Sequence, residues 1–506
     1  MLTCITTFAL TGIEPRRVDV EVDVRSGLPS FTIVGLGDRS VREARERVAA
    51  AIINSGLAFP AKRITVNLAP ADLHKSGPGF DLAIACGVLV ASGAIRATAL
   101  DDTAVHGELA LGGEVRAARG TLVVAEGARA AGLTRLLVAP DSVAEASLLG
   151  GVRGVAVPDL RALVEVLDGS RPDAPRGAVA PVRAAPDPLP DLADVRGHAE
   201  SLEAVTIAAA GSHNLLLTGP PGTGKTMLAR RLPSILPDLA PDEALEVTRI
   251  ASVCGLRTTD ALLQTRPFRA PHHSISVAGM TGGGAIPRPG EITLAHHGVL
   301  FLDELAEFPR GTLEALRQPL EDGRVLVVRG QQAVLFPCRT MLVGATNPCP
   351  CGYGGTPRCR CTTVEHDRHA RRLSGPLLDR IDLAVRVDRP SAAELGAPAL
   401  RSSAAERDRV RVARERQAAR LQGTGITCNG HMDAALMRRH LRLDDAADRQ
   451  LARVYERGLL SARGRHRVLR VARTVADLAA SDTVETGHLL SALSLREDAG
   501  SQEAAA

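Results

Sequence analysis

Apolar and polar residues alternate strictly along Val18-Asp-Val-Glu-Val-Asp-Val24, a period of two that predicts a half-buried β-strand. Lys62-Arg-Ile-Thr-Val-Asn-Leu68 predicts a second strand. Between them, residues 40–56 have helical spacing with Arg and Glu on the outer face, and residues 82–91 form an apolar helix. Gly107 to Val115 reads as a hairpin turning at Gly112-Gly113. Residues 1–167 are therefore a mixed α/β domain. Residues 168–190 hold Pro, Ala and Gly with scattered charge and no apolar period, so they read as a semi-rigid linker.

Beyond the linker, short apolar runs each end on a polar group. Asn214-Leu-Leu-Leu-Thr218, Gly298-Val-Leu-Phe-Leu302 and Thr340-Met-Leu-Val-Gly-Ala345 predict buried strands. Residues 312–320 predict a helix. Residues 323–336 predict a hairpin whose polar tip is Arg329-Gly-Gln-Gln332. From Ser391 onward the pattern is helical. Residues 191–388 thus form an α/β core and 389–506 a helical domain.

The first of these runs leads into Gly219-Pro-Pro-Gly-Thr-Gly-Lys-Thr226, the G-x-x-x-x-G-K-[ST] pattern between a strand and a helix. Backbone N–H groups of Gly219, Pro220, Pro221, Gly222, Thr223 and Gly224, prolines excepted, would turn toward a polyphosphate at a helix N-terminus. Lys225 would reach the β/γ-phosphates of ATP, and the Thr226 hydroxyl would ligate Mg²⁺. The second run ends in Asp303-Glu304. Asp303 would hold Mg²⁺ through water, and Glu304 would polarise the attacking water. Asn347, after the third run, would orient that water. Its alternative is a turn-forming Asn before Pro348.

Two arginines complete the candidate catalytic set. Arg380, between Asp379 and Asp382, either forms a local ion pair or points at a neighbouring subunit's nucleotide. Arg463 either contacts the γ-phosphate from the helical domain or belongs to a basic solvated helix face.

Composition changes this picture little. At 506 residues the chain has room for two to four domains. Its net charge of +4 is too mild to identify a nucleic-acid partner. No run of about 18 apolar residues is present to span a membrane. The first residues lack the basic region of a signal peptide. Nine cysteines, an odd number with four in one short stretch, argue against a disulfide framework and predict a cytoplasmic protein. Those four, Cys349, Cys351, Cys359 and Cys361, are spaced C-x-C-x7-C-x-C. They fit a tetrahedral Zn²⁺ site, although the one-residue gaps are tighter than usual, and free thiols or a redox pair are the alternatives. Arg358, Arg360, Arg368, Arg371 and Arg372 crowd the same stretch.

The order of phosphate loop, Asp-Glu strand end, Asn and two arginines resembles the AAA+ ATPases. Arg266-Pro-Phe-Arg-Ala-Pro-His-His273, Pro287-Arg-Pro-Gly-Glu-Ile-Thr-Leu-Ala-His-His-Gly298 and Asn347-Pro-Cys-Pro-Cys-Gly-Tyr353 carry a closer resemblance, to the YifB/ComM proteins. The N-terminal region is similar to the Lon protease domain around Lys75-Ser-Gly-Pro-Gly-Phe-Asp81, with Gly79 where those proteases place their serine.

These resemblances imply an α/β fold: a Lon-like (S5-like) N-terminal domain without a protease nucleophile, a P-loop AAA+ three-layer αβα core, and a C-terminal helical lid. They imply a homo-oligomeric, hexameric ring that drives branch migration of DNA in recombination or uptake. They also place the hairpin and the Gly-rich stretch 274–289 at the ring's pore. There Arg329 and Arg288 would meet single-stranded or branched DNA through phosphates, without sequence preference. The competing expectation is a magnesium-chelatase-like or protein-remodelling motor that does not act on DNA.

Overall fold

A computed structural model describes residues 2–96, 100–171, 189–256, 261–284, 286–329, 332–373 and 375–503. They form two compact units. The first draws on residues within 1–185, 244–263 and 285–288, the second on residues within 186–243, 264–284 and 289–506. Most of the expected linker, residues 172–188, lies outside the described residues, as do Gly330 and Gln331 of the hairpin tip.

The alternating valines of the first unit sit in the strand Glu14–Arg25, where Val18, Val20 and Val22 are fully buried. That strand is an interior strand of a seven-stranded mixed sheet. Its order is Ser30–Val34, Arg63–Ala69, Glu14–Arg25, Leu2–Thr11, Thr103–Val105, Arg135–Val138 and Arg153–Ala156. The helix Asp81–Ala91 packs on this sheet with Leu82 through Val90 buried on every side, which is why its sequence shows no polar face. The expected hairpin forms as a two-residue ladder, Glu108↔Arg116 and Leu109↔Val115, with Gly113 in the left-handed region at φ 93°.

Gly79 lies buried in the short turn Pro78–Phe80. A Cβ there would stand 2.5 Å from Cε1 of His106, so the imidazole occupies the space a nucleophile's side chain needs. Burial holds the His106 pKa down at about 4, leaving that ring neutral near pH 7.

In the second unit, five strands run parallel in the order Phe268–Arg269, Val299–Leu302, Met341–Thr346, Leu215–Thr218 and Leu383–Arg386. The three predicted apolar runs supply the three middle strands, and all are buried. The helix expected over 312–320 is two helices instead, Arg310–Ala315 and Arg317–Asp322. Pro319 explains the break, because its ring excludes a helical carbonyl at residue 315 and it donates no N–H.

The C-terminal helices, among them Ser403–Arg420 and Ala462–Leu478, share one apolar cluster with the sheet. Leu215, Phe301, Val343 and Leu383 belong to the same cluster as Val410, Val468 and Leu489. Apolar packing is thus shared across residues 388/389. Among the described residues no helix is long and apolar enough to cross a membrane.

One buried carboxylate joins the sheet to those helices. Asp382 accepts from Arg470 Nη2 at 2.9 Å, meets His213 Nδ1 at 3.4 Å, and accepts from the Asn214 backbone at 3.3 Å. Burial alone would raise its pKa, but Arg470, His213 and Arg467 outweigh that penalty and hold it at about 2. A carboxylate depressed in this way stabilises the fold at every pH above its unfolded value, by about 2 kcal/mol. That contribution is lost as pH falls from about 4 toward 2. Asp382→Asn, which leaves Arg470 without its charge partner, is expected to cost about 3–5 kcal/mol at pH 7. Urea unfolding of both proteins from pH 7 to pH 3 should show the gap narrowing below pH 4. A gap independent of pH would assign the loss to packing.

Candidate nucleotide-binding site

Parallel strands bring their carboxyl ends to one edge, and register decides what meets there. Leu217 pairs with Ala345 and Thr218 with Thr346, so the loop starting at Gly219 and residue Asn347 leave the sheet side by side. Leu302 pairs with Gly344, which brings Asp303 to the same edge.

The phosphate loop needs its glycines. Gly222 and Gly224 lie in the left-handed region at φ 75° and 94°, and Gly224 caps the helix Lys225–Ile235. A Cβ on Gly219 would stand 2.2 Å from the Val387 carbonyl oxygen. Thr223 closes the loop through Oγ1 to the Pro220 carbonyl at 3.0 Å. The Lys225 ammonium donates to the carbonyls of Gly219 and Pro220 at 2.6 and 2.8 Å and to Asn347 Oδ1 at 3.1 Å. Burial lowers its pKa while Asp303 opposes that shift. It is thus an ammonium held inside the loop by neutral oxygens, a setting that fits it to phosphate anions.

Thr226 Oγ1 donates to Asp303 Oδ2 at 2.8 Å. A hydroxyl and a carboxylate converging beside an anion cradle match the oxygen donors that Mg²⁺ prefers. Glu304 is exposed, and its backbone is in the left-handed region at φ 53°, a cost on the order of 1–2 kcal/mol for a residue with a Cβ. The Glu304 N–H donates to Asp303 Oδ1 at 3.0 Å, which couples the two acids.

Three histidines near these groups are not among the residues that sequence pattern singles out. His273 Nδ1 stands 3.5 Å from Glu304 Oε2 and packs between the rings of His272 and Phe308. His369 Nε2 bonds the Asn347 carbonyl oxygen at 2.9 Å. His198 Nε2 is 3.6 Å from where a Cβ of Gly224 would stand, with its pKa lowered by burial. The His272-His273 doublet is the one signal in the sequence for any of them, and histidines without a ligand pattern read first as packed or hydrogen-bonded.

The two arginine candidates lie elsewhere. Both line a cavity of about 460 Å³ together with Arg467, Arg470, Asp379 and Glu321. Ser212 and Asn214 also line it, which puts it at the amino end of the strand Leu215–Thr218. The phosphate loop leaves the other end, about 13 Å away along a four-residue strand. Arg380 donates to the Arg317 carbonyl at 2.8 Å and pairs with Glu321. Asp379 instead pairs with Arg467 at 3.2 Å, and Asp382 with Arg470. The local pairing expected for Arg380 with its two acidic neighbours is therefore not the one that forms. Arg463 is largely exposed, 3.9 Å from Asp379.

Arg329 ends the strand Arg324–Arg329 and is exposed. Its guanidinium lies 3.4 Å from where a Cβ of Gly283 would stand, so hairpin and Gly-rich insert lie together. Arg288 is exposed and falls among the residues of the first unit. The four cysteine sulfurs lie within 4.8 Å of one another.

A parallel sheet with a phosphate loop, a paired Asp-Glu and a polar residue on the adjoining strand fits a phosphate-loop nucleotide-binding core, and comparison with known proteins narrows the class to magnesium-chelatase-like AAA+ ATPases. The family described as magnesium chelatase, subunit ChlI, matches residues 191–395; its C-terminal family matches 400–496, and a further ChlI family matches 20–142. The chain is 43% identical to YifB of Escherichia coli over 98% of this chain and 97% of the relative. It is 39% identical to the competence protein ComM of Haemophilus influenzae over the same shares. A 31% identity to Lon protease 2 of Bacillus subtilis covers 26% of each chain. The chain belongs to the YifB/ComM family, which implies ATP and Mg²⁺ as its cofactors.

Two substitutions separate holding nucleotide from cleaving it. Lys225→Ala is expected to weaken binding of a fluorescent ATP analogue. Glu304→Gln is expected to bind it normally and release phosphate at least about 100-fold more slowly. Phosphate release at the normal rate by Glu304→Gln would remove Glu304 from the base role.

Proposed function

We propose that the protein is an ATP-driven ring motor on DNA, a branch-migration helicase or translocase serving recombination or DNA uptake. The observation that carries the ring is the position of Arg380 and Arg463. Both lie at the sheet end opposite their own phosphate loop, Arg463 exposed and Arg380 held by Glu321 and the Arg317 carbonyl, at the edge a neighbouring copy would face in a ring. A closed ring, hexameric as in related motors, repeats that contact at every interface.

Bound MgATP supplies the phosphoanhydride and the divalent charge. Lys225 and the loop N–H groups hold the phosphates, while Thr226 and Asp303 hold the cation. Asn347 orients the attacking water and Glu304 takes its proton. Arg380 and Arg463 of the neighbouring copy stabilise the charge that develops. Zinc on the four cysteines completes the cofactor set, and nine cysteines with no disulfide among them fit a reducing cytoplasm.

DNA is favoured by the exposed Arg329 beside a Gly-rich insert, with Arg288 as a second cation for phosphates, and by the likeness to a protein named for competence. A second reading, remodelling of polypeptides, draws on the same hairpin. Its outer face exposes Leu326, Val328 and Leu335 at 61, 53 and 51%.

Salt separates the two readings. Arg329→Ala is expected to weaken DNA binding and flatten the slope of log affinity on log salt by about 0.7–0.9 per phosphate contact removed, with basal hydrolysis spared. Turnover raised by unfolded polypeptide and not by DNA would select the second reading.

The ring has its own test. Arg380→Ala should bind ATP yet fail to hydrolyse it, and mixing it with Lys225→Ala should restore part of the rate. At some interfaces an intact loop then meets an intact arginine. Confirmed mixed rings without rescue would make Arg380 a residue of its own chain's cavity only.

A further inference from the structure

The loop that leaves the sheet after Asn347 has little to hold it. Residues 348–361 pair with no strand. Their backbone is closed by turns such as Gly352 N–H to the Cys349 carbonyl and Cys359 N–H to the Thr356 carbonyl, at 2.9 and 3.0 Å. Of the residues in it, only Cys349, Gly352 and Gly354 are buried. A segment this long without an apolar core needs a cross-link to keep one shape.

Its four thiols are arranged as one. Cys349 Sγ is 3.3 Å from Cys351 Sγ and 3.8 Å from Cys359 Sγ, and Cys351 Sγ is 3.8 Å from Cys359 Sγ. Cys361 falls within the same 4.8 Å. Zinc–sulfur bonds of about 2.3 Å set the thiolates of a tetrahedral site about 3.8 Å apart. His366 Nε2, 3.3 Å from Cys359 Sγ, is placed as the outer hydrogen-bond partner that such sulfurs commonly carry. Four exposed arginines, Arg358, Arg360, Arg368 and Arg371, offset the charge of a four-thiolate site.

The same loop touches the nucleotide site at two points. Gly352, in the left-handed region at φ 83°, packs so closely on the phosphate loop that a Cβ would stand 2.6 Å from Pro221 Cδ. His369, in the helix Thr363–Arg372 just after the cysteines, bonds the Asn347 carbonyl oxygen.

We propose that Cys349, Cys351, Cys359 and Cys361 bind one structural zinc ion, and that this ion positions Asn347 and the Pro221 side of the phosphate loop for hydrolysis. The cysteines are positioning residues. They fix the loop against which Asn347 Oδ1 is held 3.1 Å from Lys225 Nζ. The kinetic half of this inference rests on the ATPase reading, and the metal half does not.

Full-length protein purified without added metal is expected to contain about one zinc per chain. Cys359→Ser should lose it and become rapidly cleavable by trypsin at Arg358 or Arg360. It should bind the ATP analogue as wild type does, with kcat lowered about tenfold or more. Cys359→His, which restores a zinc ligand, should recover metal and rate together, so misfolding cannot imitate the result. Asn347→Ala should keep the zinc and lose kcat. Wild-type protein free of metal with all its thiols titratable would overturn the site. Zinc loss with kcat unchanged would overturn the positioning role. Zinc-loaded wild type that hydrolyses no ATP, alone or with DNA, would sink the ATPase reading and leave the metal site standing.

Discussion

A single carboxylate holds the second unit in register. Asp382 sits at the amino end of the last strand, and its oxygens satisfy Arg470 from one helix, His213 from the turn before the first strand, and the Asn214 N–H. His213 continues the chain to Thr474 at 2.8 Å, and Asn429 joins Thr474 at 3.0 Å. Asp382, His213, Thr474 and Asn429 are buried, so each would be destabilising alone, and together with Arg470 and Asn214 they are satisfied only in one arrangement of helices on sheet. Apolar packing could tolerate small slips of the helical region, because hydrophobic attraction is not directional. The ion pairs do not.

That constraint has a consequence at the arginine cavity. With Arg470 tied to Asp382 and Arg467 tied to Asp379 and to the carbonyls of Leu378 and Ile381, the helix Ala462–Leu478 is fixed beside the amino edge of the sheet. Arg463, one turn before Arg467, lies at that edge. The phosphate loop occupies the opposite edge because parallel strands send every carboxyl end the same way. One chain therefore carries its phosphate loop and its two candidate arginines at opposite edges of the same sheet.

The first unit resembles a Lon-type domain in fold and differs from it at one buried turn. It keeps a mixed sheet, the buried helix Asp81–Ala91 and the turn through Gly79, where a Lon-type nucleophile would stand. His106 now fills the room beside that glycine, and Asp81 is engaged in two bonds from Arg47 at 2.8 and 2.9 Å. A serine placed at residue 79 would meet an imidazole at 2.5 Å before it met a substrate. Packing as well as the missing hydroxyl thus sets residue 79 apart from a Lon-type serine.

Local pattern determined much of this protein. The valine alternation of residues 18–24, the apolar runs at 215, 299 and 341, and the phosphate loop with its Lys-Thr ending are short-range statements, and period, turn chemistry and loop glycines are written in consecutive residues. Pro319 is equally legible, yet its effect depends on a carbonyl four residues back, and apolar spacing over 312–320 by itself predicts one unbroken helix. What the chain order could not carry was adjacency across the sheet. Only the pairing of Thr218 with Thr346 brings Asn347 to Lys225, and only the turn after Phe268–Arg269 brings His273 to Glu304. Likewise Arg380 and Arg463 read separately as a finger and a sensor, while the fold puts both in one cavity at the edge away from their own nucleotide loop. The sequence determined which groups the protein has; tertiary structure decided which of them meet, because register and burial are set by contacts between residues far apart along the chain.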